Sequence, residues 1–330
     1  MLTLRMSAMA CLLLAACDGN PLAGGGGGAG SDGGDGGGTS NVPEEVARGM
    51  NAFSYVDGVL KIDMQGVTSS GKLATFRRMA SLDVPSGSGN PGYQAYRYQD
   101  TALTRSYLAY VATNDRGSVL AVAGGDGGQF NEHNDGGRFV QLTAFSRPLT
   151  ADAPESGLFS YAGSYVGIFA PGDYADGSDP RPPELRPVEP WVVRGTAQIN
   201  GSFAQNTVEG GVTNRQLFDQ DGNQITSVVI DDGDSGTADD PIDTTNLAGI
   251  VLRETTLESN GSFLGKVEFY GVPDNQIGDY GGTFGGISAS DVAGVLWLHP
   301  IQGQDGIWEM GAFNLPRCDL AGASPLCVPR

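Results

Sequence analysis

The residues able to do covalent, acid-base or metal chemistry are few, and their spacing is informative. Of four cysteines, Cys17 closes Leu14-Ala15-Ala16-Cys17, a lipobox at the end of a short apolar segment, which predicts a mature chain beginning at a diacylglyceryl-modified Cys17. Cys11 leaves with the leader, so Cys318 and Cys327 remain as a pair near the C-terminus and predict a small disulfide loop pinning the tail. Their spacing excludes a CxxC redox site. Only two histidines exist, so a serine-histidine-acid triad or a histidine metal cluster would have to use His133 or His299. His133 lies in GGQFNEHNDGGR with Asp126, Glu132 and Asp135 nearby, and is read as part of an exposed glycine-rich hairpin. His299 precedes Pro300 at a strand end and is read as structural or interfacial. No nucleophile elbow, phosphate loop or dinucleotide fingerprint occurs. Paired carboxylates of the glycosidase kind stay open, because the loops hold many acids. The expectation is a non-catalytic protein with no cofactor and no metal.

The elements that must position these residues follow from composition and periodicity. Residues 1–16 read as a lipoprotein signal, with Arg5 as a weakly positive start and an apolar run too short to span a bilayer. Residues 17–49 carry the lipidated cysteine and a glycine-rich stretch with one sizeable aliphatic, which cannot offset chain entropy and is expected to be a disordered, flexible tether. The chain has 38 acidic and 19 basic residues, net −19, and loss of Arg5 makes the mature chain −20. Nucleic acid is excluded as a partner on that balance, since phosphate contacts require lysine and arginine.

Beyond the tether the pattern is strand and turn throughout. Val193, Gly195, Ala197, Ile199, Gly201 and Phe203 alternate with Arg194, Thr196, Gln198, Asn200 and Ser202, and 262–271 repeats that period of two. Polar outer faces tell against a membrane-spanning barrel. Aromatics and glycines share one face at Phe159, Tyr161, Gly163, Tyr165, Gly167 and Phe169, and again at Tyr280, Gly282, Phe284 and Gly286, which predicts close packing inside a small closed barrel, with an open sandwich as the other arrangement. Strands are expected near 158–169, 191–203, 207–216, 224–230, 247–257, 262–271, 279–288 and 291–299, with a further one near 306–315. A β-rich unit over 50–152 precedes this barrel of 153–316, with strands at 53–65, 72–80, 93–100, 105–113, 118–124 and 137–147, and 317–330 forms the tail. The fold class is therefore all-β: a β-rich handle, then a soluble eight-stranded antiparallel barrel, behind a disordered tether.

Candidate binding elements are the loop with Asp126, Glu132, His133 and Asp135, the acidic loop with Asp231, Asp234 and Asp239, and a tyrosine-rich handle face of Tyr96, Tyr98, Tyr107 and Tyr110. Tyrosine is favoured at interfaces, and cross-strand packing is the competing reading of that face. Asp219, Asp221 and Asn223 do not make a calcium loop, because Gly222 is misplaced and Ile230 stands where a glutamate is needed.

The lipobox followed by polyglycine, with GLFSYAGSYVGIF (157–169), GTAQINGSFAQNTVEGGV (195–212), GSFLGKVEFYG (261–271) and GGTFGGISASDVAGVLWL (281–298), resembles the surface lipoproteins of the transferrin-binding protein B type. That resemblance implies a handle paired with an eight-stranded barrel, here in a single lobe, and an envelope or outer-membrane lipoprotein whose loops engage a protein partner or nutrient carrier. It carries over no ligand-contacting residue. A lipocalin-like small-molecule carrier and, further off, a lipid-anchored hydrolase are the alternatives.

Overall fold

The computed structural model describes residues 42–327, apart from positions 70, 85–91, 115, 131, 149–156, 172–181, 183–184, 229–241, 300–307 and 322. Cys17 and residues 18–41 of the tether expected over 17–49 lie outside the described residues, whereas 42–49 are described, with Val42, Val46 and Ala47 buried. Among the described residues no helix is long and apolar enough to cross a membrane.

The first unit is a seven-stranded antiparallel meander: β1 (Met50–Val56), β2 (Val59–Met64), β3 (Ala74–Arg78), β4 (Tyr93–Tyr98), β5 (Tyr107–Ala112), β6 (Val119–Asp126) and β7 (Asp135–Gln141). The single strand expected over 53–65 is two strands. Asp57 and Gly58 take φ of 50° and 76°, the left-handed pair that a two-residue hairpin turn requires, and the DG dipeptide between apolar runs is its sequence signal. β1 returns beside β7, where the Gly49 amide donates to Asp135 O (2.9 Å) and Arg138 Nε donates to Met50 O (2.8 Å), so the sheet nearly closes. A helical turn, α1 (Glu44–Ala47), leads into it.

The second unit is the expected closed barrel. Its eight staves are β8 (Leu158–Ala170), β9 (Trp191–Ser202), β10 (Thr207–Phe218), β14 (Ile250–Thr256), β15 (Ser262–Phe269), β16 (Gln276–Gly285), β17 (Asp291–Leu298) and β18 (Trp308–Pro316), every neighbouring pair is antiparallel, and the β9–β10 pairing completes the ring. The stretch 224–230 is no stave: β11 (Gln224–Ile225) only extends the β10 edge, and β12 (Ser227–Val228) pairs with β13 (Ile242–Asp243). The strand near 306–315 takes the eighth place. Two residues are too few to carry a ladder around the barrel, and the turn at 219–223 separates β11 from β10, with Asp219 accepting from the Asp221 and Asn223 amides.

Phe159, Tyr161, Tyr165, Phe203, Phe263, Tyr280, Phe284 and Phe313 are all buried in the lumen, in ring contacts such as Phe203 against Phe284 at 5.2 Å. Two glycines of the aromatic face show why that residue type is needed. A Cβ on Gly311 would overlap the Tyr165 phenol, and one on Gly265 the Tyr280 ring. An ion pair enters this core: the fully buried Arg215 pairs with Glu309 and donates to Ala248 O (2.6 Å), and the Tyr165 hydroxyl also donates to Glu309.

Handle and barrel belong to one compact unit and share a core. Tyr93, Leu108, Tyr110, Ala121, Ala123 and Phe139 pack on Val166, Ile168, Ala293, Val295, Met310 and Ala312, the outward faces of β8, β17 and β18. Those staves are apolar on both faces because one meets the lumen and the other the handle. β9, β10 and β15, whose outer faces meet water, are the ones with polar alternation.

Candidate binding site

The hairpin joining β6 to β7 is built upward from buried charge. Asp126 at the end of β6 is fully buried and accepts from four partners: the Gly128 amide (2.9 Å), His133 Nδ1 (3.0 Å), Arg105 Nη1 (3.1 Å) and Asn134 Nδ2 (3.2 Å). Asp135 at the start of β7 accepts from His133 Nε2 (3.1 Å), Trp297 Nε1 (3.0 Å) and Arg48 Nε. With a carboxylate on each ring nitrogen, His133 must donate from both and is therefore an imidazolium. Burial disfavours that charge, but the hydrogen bonds to Asp126 and Asp135 and their negative charges outweigh it and push the pKa up to about 9. Burial opposes ionisation of Asp126 and Asp135 too, yet the hydrogen bonds from His133 and its charge, with Arg105 on Asp126 and Arg48 on Asp135, hold both carboxyls below the usual range.

The barrel supplies the other half of this junction. The His133 ring stacks on Trp308 (5.2 Å), Trp308 meets His299 (5.1 Å), His299 stacks on Trp297 (6.0 Å), and the Arg48 guanidinium caps Trp297 at 3.9 Å. His299, read from the sequence as structural or interfacial, lies between Trp297 and Trp308 of the barrel. The expectation for His133, Asp126 and Asp135 is corrected: they form a buried clamp beneath the hairpin and are not part of an exposed loop. The physical reason is nonlocal, because the stacking partner and the Trp297 donor arrive from β17 and β18. A fixed imidazolium with both nitrogens occupied can neither abstract a proton nor ligate a metal. Among the described residues no group of histidine, cysteine and acidic side chains is arranged to hold a metal ion.

What the clamp presents is apolar. The buried Gln129 amide donates through Nε2 to both Leu103 O (3.0 Å) and Leu185 O (3.0 Å), which draws the β4–β5 loop and the segment before β9 against the hairpin. Val188 N donates to Gly128 O (2.9 Å) and Arg105 Nη2 to Gln129 O (2.6 Å), closing the same cluster. Around this fastening Leu103 is 68%, Phe130 55% and Leu185 43% exposed. Phe130 has φ of +59°, a left-handed conformation that costs a bulky residue about 1–2 kcal/mol. Of the acids predicted for this loop, only Glu132 points outward.

The other predicted elements fall differently. Tyr96, Tyr107 and Tyr110 are buried, which corrects their assignment to a contact face: Tyr96 and Tyr107 lie in the handle interior, and Tyr110 lies between handle and barrel. Their hydroxyls find backbone partners, as Tyr110 does at Leu82 O (3.0 Å) and Tyr96 at Gly58 O (2.8 Å). Tyr98 is half-buried and donates to Asp100 (2.6 Å). Cross-strand packing therefore accounts for these tyrosines. Asp231, Asp234 and Asp239 lie outside the described residues. Cys318 and Cys327 are disulfide-bonded, and the Cys318 amide donates to Ser160 O (2.8 Å), fastening the tail to β8. Sequence reading missed Leu103, Gln129, Phe130 and Leu185. One available signal was a lone phenylalanine among glycine and polar residues in GGQFNEH.

No protein-family model and no curated protein matches the sequence. Solved structures do match. A double mutant of transferrin-binding protein B from Haemophilus parasuis Hp5 is 9% identical, with a TM-score of 0.34, over 81% of this chain and 53% of that one. Isotype 1 transferrin-binding protein B from serogroup B Neisseria meningitidis is 14% identical, with a TM-score of 0.32, over 83% of this chain and 42% of that one. Intact Ap-TbpB, with its N and C lobes, is 9% identical, with a TM-score of 0.32, over 81% of this chain and 51% of that one. The chain resembles transferrin-binding protein B. It spans about half the length of the solved proteins it matches.

Proposed function

We propose that this chain is a lipid-anchored protein of the bacterial envelope, displayed at the outer membrane, that binds without catalysis. It captures a protein partner or nutrient carrier through the loops around Phe130. The observation that carries this reading is the exposed Leu103, Phe130 and Leu185 set, fastened by one buried glutamine above a clamp of buried charges. A fold without such a role would gain stability by turning Phe130 inward or replacing it with glycine. Such a rigid apolar centre with polar surroundings is what binding hot spots require.

Val46 packs at the level of Gly281 and Phe139 and Gly49 reaches Asp135, so residues 46–49 run toward the β6–β7 hairpin. The two barrel-based alternatives find less support. The lumen is occupied by buried aromatic side chains where a lipocalin-like carrier needs a cavity, and His133 is committed to its carboxylates where a hydrolase needs a free base.

The test is a photo-crosslinking amino acid at position 130 of the full-length protein in its native envelope, with the same label at Tyr270 as control. Recovery of one polypeptide from position 130, lost in Phe130→Asp protein of unchanged melting temperature, is the expected result. Equal capture by the Phe130→Asp protein sinks the assignment. Flotation with envelope lipid and protease shaving of intact cells check the anchor and the display.

A further inference from the structure

Basic residues are scarce in this chain, 19 against 38 acids, yet two arginines where handle meets barrel have no acceptor among the described residues. Arg194 stands on β9 opposite Val166 of β8 and Gln216 of β10. Its guanidinium lies over the Phe218 ring at 4.5 Å, and Phe218 packs against the core that handle and barrel share. Its Nε is shut from water and donates to nothing, although the side chain as a whole is half-buried. Buried donors are nearly always satisfied, so an orphan on a cation asks for an explanation. Arg77 of β3 is exposed, and it faces Arg97 of β4 directly across the ladder, a placing of like charges that weakens a strand pair. Arg97 in turn reaches the barrel at Gln220 Oε1 (3.3 Å), two residues beyond Phe218. The acids nearby are spent on other groups. Asp83 accepts from Arg78 Nη1 (2.6 Å) and the Ala95 amide (3.0 Å), Glu189 from Arg97 and the Ser106 hydroxyl (3.1 Å), and Asp219 from the amides of its own turn.

We propose that this edge is an oxyanion site, with Arg194 as its anchor and a small molecule bearing carboxylate or phosphate as its ligand. A ring stacked on the face of a guanidinium leaves the in-plane N–H groups as free donors, and the Nε–H and Nη–H side of that fork matches two oxygens of one oxyanion. A small turn of the guanidinium on Phe218 carries the shut-in Nε–H toward the exposed part of the side chain, where the ligand arrives. Arg77 and Arg97 act at longer range. Their charge offsets the repulsion that a chain of net −19 presents to any anion, and a bound anion relieves the opposition of Arg77 to Arg97. Neither Arg77 nor Arg194 belongs to the set around Phe130, so the site stands or falls separately from partner capture.

The full-length protein is titrated by calorimetry with inorganic phosphate and, separately, with citrate, at an ionic strength held constant with sodium chloride. The expected result is saturable one-to-one binding of at least one of them, the tighter naming the oxyanion class. Affinity should fall roughly tenfold or more in Arg194→Met, which loses a charge-assisted bond, and about twofold in Arg77→Gln, which loses only a screened charge. Arg253→Gln removes a positive charge elsewhere on the barrel, from a guanidinium paired with Glu268 and Asp274, and should bind as the parent does. Arg194→Met keeps an apolar stem on Phe218 and deletes the orphan donor, so in chloride buffer it should melt at or above the parent temperature. If it melts well below, Arg194→Lys takes its place: that variant keeps the charge, loses the fork and should bind at least threefold more weakly. No saturable binding of either anion by the folded parent, or unchanged affinity in the folded Arg194 variant, overturns the proposal.

Discussion

Raising the pH should loosen the protein over a window set by His133. In the folded state its pKa is pushed up to about 9, whereas in the unfolded chain it returns to about 6.5. A folded-state pKa above the unfolded value means that the contribution is fully present below pH 6.5 and is lost as pH rises through 9. The difference of about 2.5 units, at 1.36 kcal/mol each, is worth on the order of 3 kcal/mol. Only 7% of the His133 side chain is exposed, so solvent does little to screen its two ion pairs. Asp126 and Asp135 act at the other end of the scale, because carboxyls held below their usual range add stability that is lost only in acid.

Urea unfolding at pH 6, 7.5, 9 and 10, followed by the fluorescence of Trp308 stacked on His133, reads this directly. The unfolding free energy should fall by roughly 2–3 kcal/mol between pH 6 and pH 10, with most of the loss between pH 7 and 9. His133→Asn should be less stable at pH 6 and should approach the parent as pH rises, since deprotonation removes from the parent the charge that the variant never had. A parent curve that is flat or rises with pH, or a variant with the same slope, would show that His133 does not hold a proton between the two carboxylates.

Phe130→Gly should stabilise the fold by up to about 1 kcal/mol, because glycine accepts φ of +59° without penalty, while partner capture falls; urea unfolding beside a binding assay separates the two effects. Gly311→Val should cost at least 1–3 kcal/mol by thrusting two methyls into the Tyr165 phenol, visible as a lowered melting temperature with intact far-ultraviolet dichroism. Glu309→Gln alone should cost about 3–5 kcal/mol by leaving Arg215 charged in the lumen, and Arg215→Met combined with Glu309→Leu should recover most of it, as a double-mutant cycle would record.

The parts of the fold legible in the sequence were those decided locally. Val193 through Phe203 alternates because each residue meets either the lumen or water, so period two survives. Phe263, Val267, Tyr280 and Phe284 were correctly placed inside because aromatics and glycines on one face have few other arrangements. The β1–β2 hairpin was legible too, in Asp57 and Gly58, yet was read through as one strand. What could not be read was anything decided by a second layer. Tyr110 on β5 looks the same in sequence whether it meets solvent or Ala312 of the barrel, and it meets the barrel. His133 among glycines has the composition of an exposed loop, and only the arrival of Trp308 and Trp297 from the distal strands makes it a buried cation.

That second layer also explains why the outward groups sit where they do. β8, β17 and β18 have no polar face to offer water, so the handle is needed to cover them, and handle and barrel share their burial. The cost of this arrangement is a set of charges stranded at the rim of the shared core. Asp126 and Asp135 meet it by pairing with His133, Arg105 and Arg48, and Asp291 does the same at the other rim with Arg116 and the Ser118 hydroxyl. Ion pairs buried this way contribute little net stability over an apolar core of the same shape, but they fix one geometry, since any other leaves a charge without a partner. The loops leaving such fixed points inherit their rigidity. Phe130 follows the Asp126 cluster within four residues, and Ile287 precedes Asp291 by the same interval, so these two exposed hydrophobes grow from the two charged rims of one interface.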